Sequence, residues 1–492
     1  MMKNPIDSVV SFFNPIAGVK RAQARHVQRN YDAAMQGGRN GGWFRPNTTG
    51  AQEVSKSADK LSSSAQELGR NNPLARRIKR LWANNTVGKG IQLDVIGKVD
   101  KKVEKCSKTF DDWFESTDCD FEGHLTGYGL QWLWVATLVE SGAVFIRQHI
   151  NPNSIFPLQL QTFEQSQLDK GKNRLTDEGS IIDGIQYSGM GQIEGYWFLV
   201  DATNTKLGRP AKSQFHAANT IIHIFDKERA GQHLGISFLH AAATTLKNYN
   251  TYQDAKLMQQ QIAACFALIV EDSDRAIGLG GEGTRSLPDE IQPAMVEYVK
   301  SGSVPHVITP PNADNSSEFD VGLKRDISVG VGLSYEQVSG DYSRVNFASG
   351  RMAKMDFFIE LDHMQMHIIK PALDKVFKWF ITIYQIKNGK GDFKADWTFP
   401  PRAAVNPKEE FDVLMSKVRH GMKSPSKAAK ELGERLEVII AQWTKDKALF
   451  GELPFDIDPS VFAATGNQLD DNDAASANKQ GVTGDTSDKV VK

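Results

Sequence analysis

Three cysteines in 492 residues, Cys106, Cys119 and Cys265, are too few and too scattered to staple a fold. None stands in the CxxC pair that a zinc knuckle or a thiol redox motif needs. An odd, sparse set fits a reducing compartment, and each thiol reads as a small buried side chain. Net charge is nearly absent too. The 58 Lys and Arg against 59 Asp and Glu leave −1, with a pI near 6.8. That excludes a global pull toward nucleic acid, so any contact with DNA is local or weak. No apolar run reaches the roughly 18 residues that span a bilayer; Leu130–Val139 and Phe266–Val270 are the longest candidates. Near the N-terminus Val9, Val10, Phe12 and Phe13 follow a single early charge, Lys3, with no cleavage-like site, which reads as no signal peptide.

Catalytic and metal-binding signatures are missing as well. The stretch from Gly278 to Ser286 looks superficially like a phosphate loop. It lacks the lysine of GxxxxGK[ST] and carries Glu282 where an anion would be repelled, so it reads as a plain loop. His363 and His367 are four apart and share a helical face, but no Glu follows His363 as HExxH requires. Met355, Met364 and Met366 around them suggest core or interface packing. Asp111–Asp112 and Asp470–Asp471 are sequence neighbours whose side chains point apart, a poor acid/base arrangement. No GxSxG elbow is present. The expectation is a protein without catalytic residues, metal or cofactor.

What is present is a mixture of helical and strand patterns in a chain of 40% hydrophobic and 24% charged residues, enough for several domains. Residues 1–60 read as loosely structured, with Lys20, Arg21, Arg25, Arg29 and Arg39 among small and polar residues. Asn72-Pro73 predicts a helix start, Asn as N-cap and Pro at the first position. Leu74, Ile78, Leu81 and Trp82 share its apolar face, while Arg76, Arg77, Lys79 and Arg80 form a solvated one. Gly88 and Gly90 end it, and Ile91 to Val95 alternates as a strand. Helices are predicted over Lys101–Trp113 and Leu125–Ser141. Short strands follow at Ala143–Ile146, Leu158–Leu160, Gly195–Val200 and Ile221–Phe225.

From Ile236 to Phe266 apolar residues recur every three or four positions, a one-sided helix of about 45 Å. Residues 263–317 carry eight Asp/Glu against three Lys/Arg, with a helix expected at Pro288–Lys300 and a strand at Val304–Thr309. A helix at Phe319–Leu333, a polar loop from Ser339 to Arg351 and a long apolar-striped helix from Met352 to Tyr384 come next. Two short helices, Pro407–Met422 and Lys427–Phe450, break at Gly421–Pro425. The stretch Ala464–Lys492 has almost no large apolar residue and is expected to be disordered. The class is α+β.

Four stretches carry a resemblance. They are Tyr31-Asp32-Ala33-Ala34; Arg70-Asn71-Asn72-Pro73-Leu74-Ala75; the segment from Phe225 through Ala230-Gly231-Gln232-His233-Leu234-Gly235 to Ser237; and Gly332-Leu333-Ser334-Tyr335 through Asp341-Tyr342-Ser343. Pro407-Lys408-Glu409-Glu410 with Gly421-Met422-Lys423-Ser424 adds to them. Over about residues 30–455 the chain resembles the lambda-type family of phage portal proteins. In the polar loop Tyr342-Ser343-Arg344 departs from the Tyr-Ser-Ser run of relatives, and Gly350 should loosen the helix that follows.

The resemblance implies a portal-type ring subunit with wing, long-helix stem, clip and helical crown. It divides the chain into an N-terminal arm (1–30), wing (31–232), first stem helix (233–266), clip (267–318), second stem helix (319–338), tunnel loop (339–351), wing-crossing helix and wing (352–400), crown (401–460) and tail (461–492). Asp341, Tyr342, Ser343, Arg344, Asn346, Phe347, Ser349 and Arg351 would face DNA, with Arg344 or Arg351 touching phosphates or pairing with Asp341 or Asp356. Glu271, Asp272, Asp274, Glu282, Asp289 and Glu290 would form the clip's docking surface. Implied partners are further copies of the chain in a ring, expected as a dodecamer; the terminase large subunit; major capsid and scaffold proteins; head-tail connector proteins; and double-stranded DNA read without sequence specificity. The location would be the virion capsid vertex, after assembly in the host cytoplasm. The alternatives are another head-tail adaptor or minor capsid protein, or a nuclease or NTPase, which would need carboxylate clusters or a phosphate loop.

Overall fold

A computed structural model describes Ile16 and residues 47–176, 178–200, 212–264, 268–272, 296–300, 316–404 and 406–451. The chain divides into one unit ending at Glu53 and another beginning at Val54. In the first, Thr49 and Gln52 exchange bonds: Thr49 N donates to Gln52 Oε1 (3.2 Å) and Gln52 N to Thr49 Oγ1 (3.3 Å). This reciprocal cap starts a helix at Gly50, within the stretch expected to be loose.

Helix α1 (Gly50–Asn71) is followed directly by α2 (Pro73–Val87). Asn72 caps α2 as its position before proline predicts, accepting from Ala75 N at 2.9 Å. Strand β1 (Gln92–Gly97) and helices α3 (Asp100–Phe114) and α4 (Gly127–Ser141) then appear close to their expected bounds. Gln131 of α4 clamps the entry to β1, accepting from Ile91 N (2.8 Å) and donating to Ile91 O (3.0 Å).

Two antiparallel sheets follow. Strands β2 (Ala143–Ile150) and β3 (Leu158–Glu164) belong to the first. Strands β4 (Arg174–Thr176), β5 (Gly179–Ile182), β6 (Ile185–Ser188), β7 (Ile193–Val200) and β8 (Lys212–Ala217) form a five-stranded meander. Strand β9 (Ile221–Phe225) returns to the first sheet in the order β3-β2-β9, pairing Phe145 with both Phe163 and His223.

The helix expected from Ile236 begins later, as α5 (Ala243–Ala264), so its length is about 33 Å rather than 45 Å. Ser237 holds the preceding residues out of the helix. Its hydroxyl donates to Val139 O (3.0 Å) and accepts from Leu239 N (3.1 Å). Just before it the backbones of Gly235 and Gly142 nearly touch. A Cβ on Gly235 would lie 1.8 Å from Gly142 O, and one on Gly142, at φ +88°, would lie 2.4 Å from the Ile236 carbonyl carbon. Only glycine fits either position.

Strands β10 (Leu268–Asp272) and β11 (Val296–Lys300) pair in parallel. The expected helix over Pro288–Lys300 is therefore strand at its end, where Val296, Tyr298 and Val299 suit an extended chain. The expected strand at Val304–Thr309 lies outside the described residues. Helix α6 (Ser316–Gly330) ends three residues before its expected limit. Gly332 at φ +68° and the bond from Leu333 N to Ser328 O (3.0 Å) close it. The region 319–338 thus holds two helices, the second being α7 (Tyr335–Ser339).

Helix α8 (Phe347–His363) runs through a π turn at Met364–Ile369 into α9 (Lys370–Asn388). The wide turn precedes Pro371, whose ring would crowd the carbonyl four residues back; Lys370 N bonds instead to Gln365 O. Strand β12 (Phe393–Thr398) pairs antiparallel with β1. Helices α10 (Pro407–Arg419), α11 (Pro425–Glu431) and α12 (Leu436–Phe450) finish the described chain, Gly433 (φ +76°) splitting the last expected helix in two.

The main core gathers α2, α3, α4, α9 and β12. Trp113 stacks on Phe380 (5.5 Å) and donates to Leu158 O (2.8 Å), while Phe110 meets Phe114 and Phe380, each at 5.0 Å. Burying each such ring contributes roughly 1.5–3 kcal/mol. A second cluster, with Phe145, Phe163, Tyr196 and Phe198, joins the two sheets.

Candidate functional site: the loop before the long helix

The polar loop is shorter than expected. Asn346 accepts from Ser349 N at 2.8 Å and caps α8, so Phe347, Ser349 and Arg351 are helical and only residues 340–346 are loop. The other end is equally defined. Ser334 and Gln337 form a capping box on α7, and Gly340 at φ +74° closes that helix with a bond to Glu336 O (2.8 Å).

Inside the loop, Asp341 organises the turn. It accepts from Ser343 N (3.0 Å) and from the Tyr335 hydroxyl (3.2 Å). Bonds from Ser343, then from Tyr335, with the Arg344 charge beside them, hold its carboxyl below the usual range. Asp341, Tyr342, Ser343, Arg344, Asn346, Phe347, Ser349 and Arg351 are all exposed. Two are large: Tyr342 is 60% accessible and Phe347 61%. Among the described residues neither Arg344 nor Arg351 has a carboxylate within 4 Å, so the expected pairing with Asp341 or Asp356 does not form within the chain. A cleft of about 290 Å³ lies behind the loop, lined by Val345, Phe347, Gly350, Ala353 and Gln337 among others.

The expected clip residues are less defined. Glu271 and Asp272 end β10. Asp274, Glu282, Asp289 and Glu290 lie outside the described residues, as do the Gly278–Ser286 stretch, Cys265 and Asp470–Asp471. Cys106 and Cys119 are buried free thiols, each pushed up to about 12 mainly by desolvation. The rings of His363 and His367 are 5.4 Å apart, and His363 Nε2 lies 3.4 Å from Asp226 Oδ1. Among the described residues no three His, Cys, Asp or Glu side chains converge as a metal site needs. No described helix is long and apolar enough to cross a membrane.

Two polar constellations are visible only in three dimensions. Lys430 bridges Asp94 (2.7 Å) and Asp396 (2.5 Å), while Arg435 reaches Asp111 (3.3 Å) and donates to Leu93 O (2.9 Å). This ties the α11–α12 junction to β1, β12 and α3. Asp111, half of a carboxylate pair in sequence, is therefore a structural partner; desolvation raises its pKa despite Arg435. In the second, Asp183 accepts from Ser55 and from His233 Nε2 (2.8 Å), joining α1, the meander and the segment before α5. The three are far apart in sequence and no spacing announces them.

A family model described as "Phage portal protein, lambda family" matches residues 36–365. The chain belongs to the lambda family of phage portal proteins. Its role is that of a capsid portal. Three curated relatives carry portal names. The probable portal protein of Halomonas phage phiHAP-1 is 24% identical over 401 residues, covering 77% of this chain and 75% of the relative. Portal protein B of Escherichia phage lambda is 20% identical over 469 residues, 83% and 87% of the two chains. The portal protein of Escherichia phage N15 is 21% identical over 267 residues, 46% and 50%. Among solved structures, a chain from the neck of a native GTA particle computed with C12 symmetry overlays with a TM-score of 0.42 at 16% identity, covering 75% of this chain and 93% of that one. The corresponding neck of an empty particle, computed with C6 symmetry, gives 0.41 at 14%, with the same coverage.

Proposed function

We propose that this portal protein is one subunit of a ring, expected as a dodecamer, at a single capsid vertex of a virion, through which double-stranded DNA is packaged and ejected. Residues 31–232 and 352–400 form the wing, 233–266 and 319–338 the stem, 267–318 the clip and 401–460 the crown. The segment from Asp341 to Arg351, loop and first turn of α8, faces the duplex. The anionic clip, with Glu271, Asp272, Asp274, Glu282, Asp289 and Glu290, docks the terminase motor and later the head-tail connectors. The capsid and scaffold proteins surround the wing, and assembly takes place in the host cytoplasm. The protein does no catalysis: the sequence has no nucleotide loop, so a partner ATPase supplies the force.

One observation carries the loop assignment: all eight side chains assigned to it are exposed, and its two arginines have no carboxylate within 4 Å among the described residues. A channel must let a polyanion slide. Each firm Lys or Arg contact releases counterions and adds affinity, so a loop of one Asp, two Arg and neutral polar groups grips weakly and without sequence preference. Electron microscopy of the purified protein should show rings with a central opening wider than a duplex, and a monomer at every concentration would reject the ring. Arg344→Gln should lower DNA packaged per capsid; unchanged packaging removes this arginine from the mechanism.

A further inference from the structure

Helix α8 has one face turned into the molecule and one largely exposed. Phe357 packs edge-on against Trp82 of α2 at 5.4 Å and is buried. Met352, Met355 and Ile359, at intervals of three and four, are 68%, 56% and 69% accessible. At about 100° per residue they lie roughly 140–160° around the helix from Phe357. Asp356 borders this apolar stripe about 40° beyond Met352, with exposed Glu360 next around on the same side, while exposed Arg351 borders the other side about 40° from Met355. Neither acid has a cation within 4 Å among the described residues. Contiguous exposed apolar side chains with a charged border mark an interaction surface.

The complementary surface is on the same chain. Helix α2 presents Trp82 to α8, while Arg76, Arg77 and Arg80 lie roughly 120–160° around from Trp82. All three arginines are exposed. Arg77 donates to Gln337 O (2.6 Å); Arg76 and Arg80 have no carboxylate within 4 Å among the described residues. The α2–α8 pair therefore carries a cationic face, without carboxylate partners among the described residues, pointing one way and an apolar face with acids along one border pointing the other.

We infer that these two faces are the halves of one contact between copies of this chain: the Arg76–Arg80 face of one copy seats on the Met352–Met355–Ile359 stripe of the next, its guanidinium groups against Asp356 and Glu360. Guanidinium stems cover apolar surface while their heads reach carboxylates. Two different patches on opposite sides of a subunit make a heterologous contact, the kind that closes into a ring. The inference rests on the ring reading and adds the surface that holds the ring.

The test is charge exchange read by native mass spectrometry and sedimentation velocity of the full chain. Arg76→Glu/Arg80→Glu and Asp356→Lys/Glu360→Lys should each raise the concentration for half-assembly at least tenfold, with circular dichroism and melting close to wild type. The quadruple variant should assemble again, because its charges are complementary once more. Reversals that leave assembly unchanged overturn the inference, as does a quadruple variant no better than either pair. It is also overturned if the arginine pair keeps the ring but loses binding to a short DNA duplex, for the arginines would then serve nucleic acid. Wild-type protein that is monomeric throughout is a separate result: it rejects the ring before any variant is read.

Discussion

Asn72 does two jobs whose energies can be separated. Its Oδ1 caps α2 through Ala75 N at 2.9 Å. Its Nδ2 donates to Asn250 Oδ1 at 2.8 Å and to Leu246 O at 3.4 Å, both on α5, and the residue is almost fully buried. Losing the cap alone costs about 1 kcal/mol. Leaving the buried α5 acceptors without a donor costs about 1–2 kcal/mol more. Asn72→Ala should therefore lose about 2–3 kcal/mol. Asn72→Ser keeps a capping oxygen but cannot reach α5, so it should lose only the second part, about 1–2 kcal/mol. Urea unfolding at one fixed chain concentration measures both, as the change in midpoint multiplied by the slope. Amide exchange at Ala75 reports the cap directly and should quicken in the Ala variant only. Equal losses for Ala and Ser, or an Ala loss below about 0.5 kcal/mol, would refute the division of labour.

Two further predictions concern the polar constellations. Desolvation, the largest influence on Asp183, raises its pKa, but the bonds from His233 and Ser55 outweigh it and the net shift is downward from 3.8. Its contribution is thus present above the ordinary carboxylate range and lost as pH falls through the lower folded value. Acid unfolding should lose part of its pH dependence in Asp183→Asn, and an unchanged acid limb would contradict the assignment. For Lys430 desolvation, again the largest influence, lowers the pKa, but bonds to Asp396 and Asp94 outweigh it and raise it above 10.5. Its contribution is intact below that value and lost as pH rises through the folded one. Lys430→Met should cost about 1–2 kcal/mol, discounted for partial exposure, and speed amide exchange in α11. Exchange confined to wild-type rates would show that apolar contacts alone hold the C-terminal helices.

Local chemistry was legible wherever the signal and its effect lie within a few residues. Asn72-Pro73, the alternation in β1 and the spans of α3 and α4 all read correctly. Errors arose where a distant partner decides. Nothing near Ile236 shows that Ser237 bonds Val139 O, 98 positions away, or that Gly235 must clear Gly142, so the apolar period starts seven residues before the helix does. Phe347-Ala348-Ser349-Gly350 are mixed helix formers, so the sequence pattern starts this helix late, at Met352, and the Asn346 cap that recruits them looks like loop. The Lys430–Asp94 and Arg435–Asp111 contacts join residues more than three hundred positions apart, which no motif spacing can encode.

The same limit decides what could be read of the site. Composition and resemblance single out the loop residues, yet only coordinates show that all eight are exposed and that three of them, Phe347, Ser349 and Arg351, belong to α8. The stripe on α8 is the sharper case. Periodicity marks one helical face as apolar without saying what lies against it, because a face turned to a core and a face turned to a neighbouring molecule have the same three-or-four spacing. Phe357 and Leu361 satisfy the spacing by burial, whereas Met352, Met355 and Ile359 satisfy it while remaining largely exposed. Sequence alone suits Met355 to a core or to an interface, and its exposure removes the core among the described residues. An apolar period that the folded monomer leaves unburied is thus evidence about assembly, and it begins at the residue after Arg351, the last one assigned to DNA.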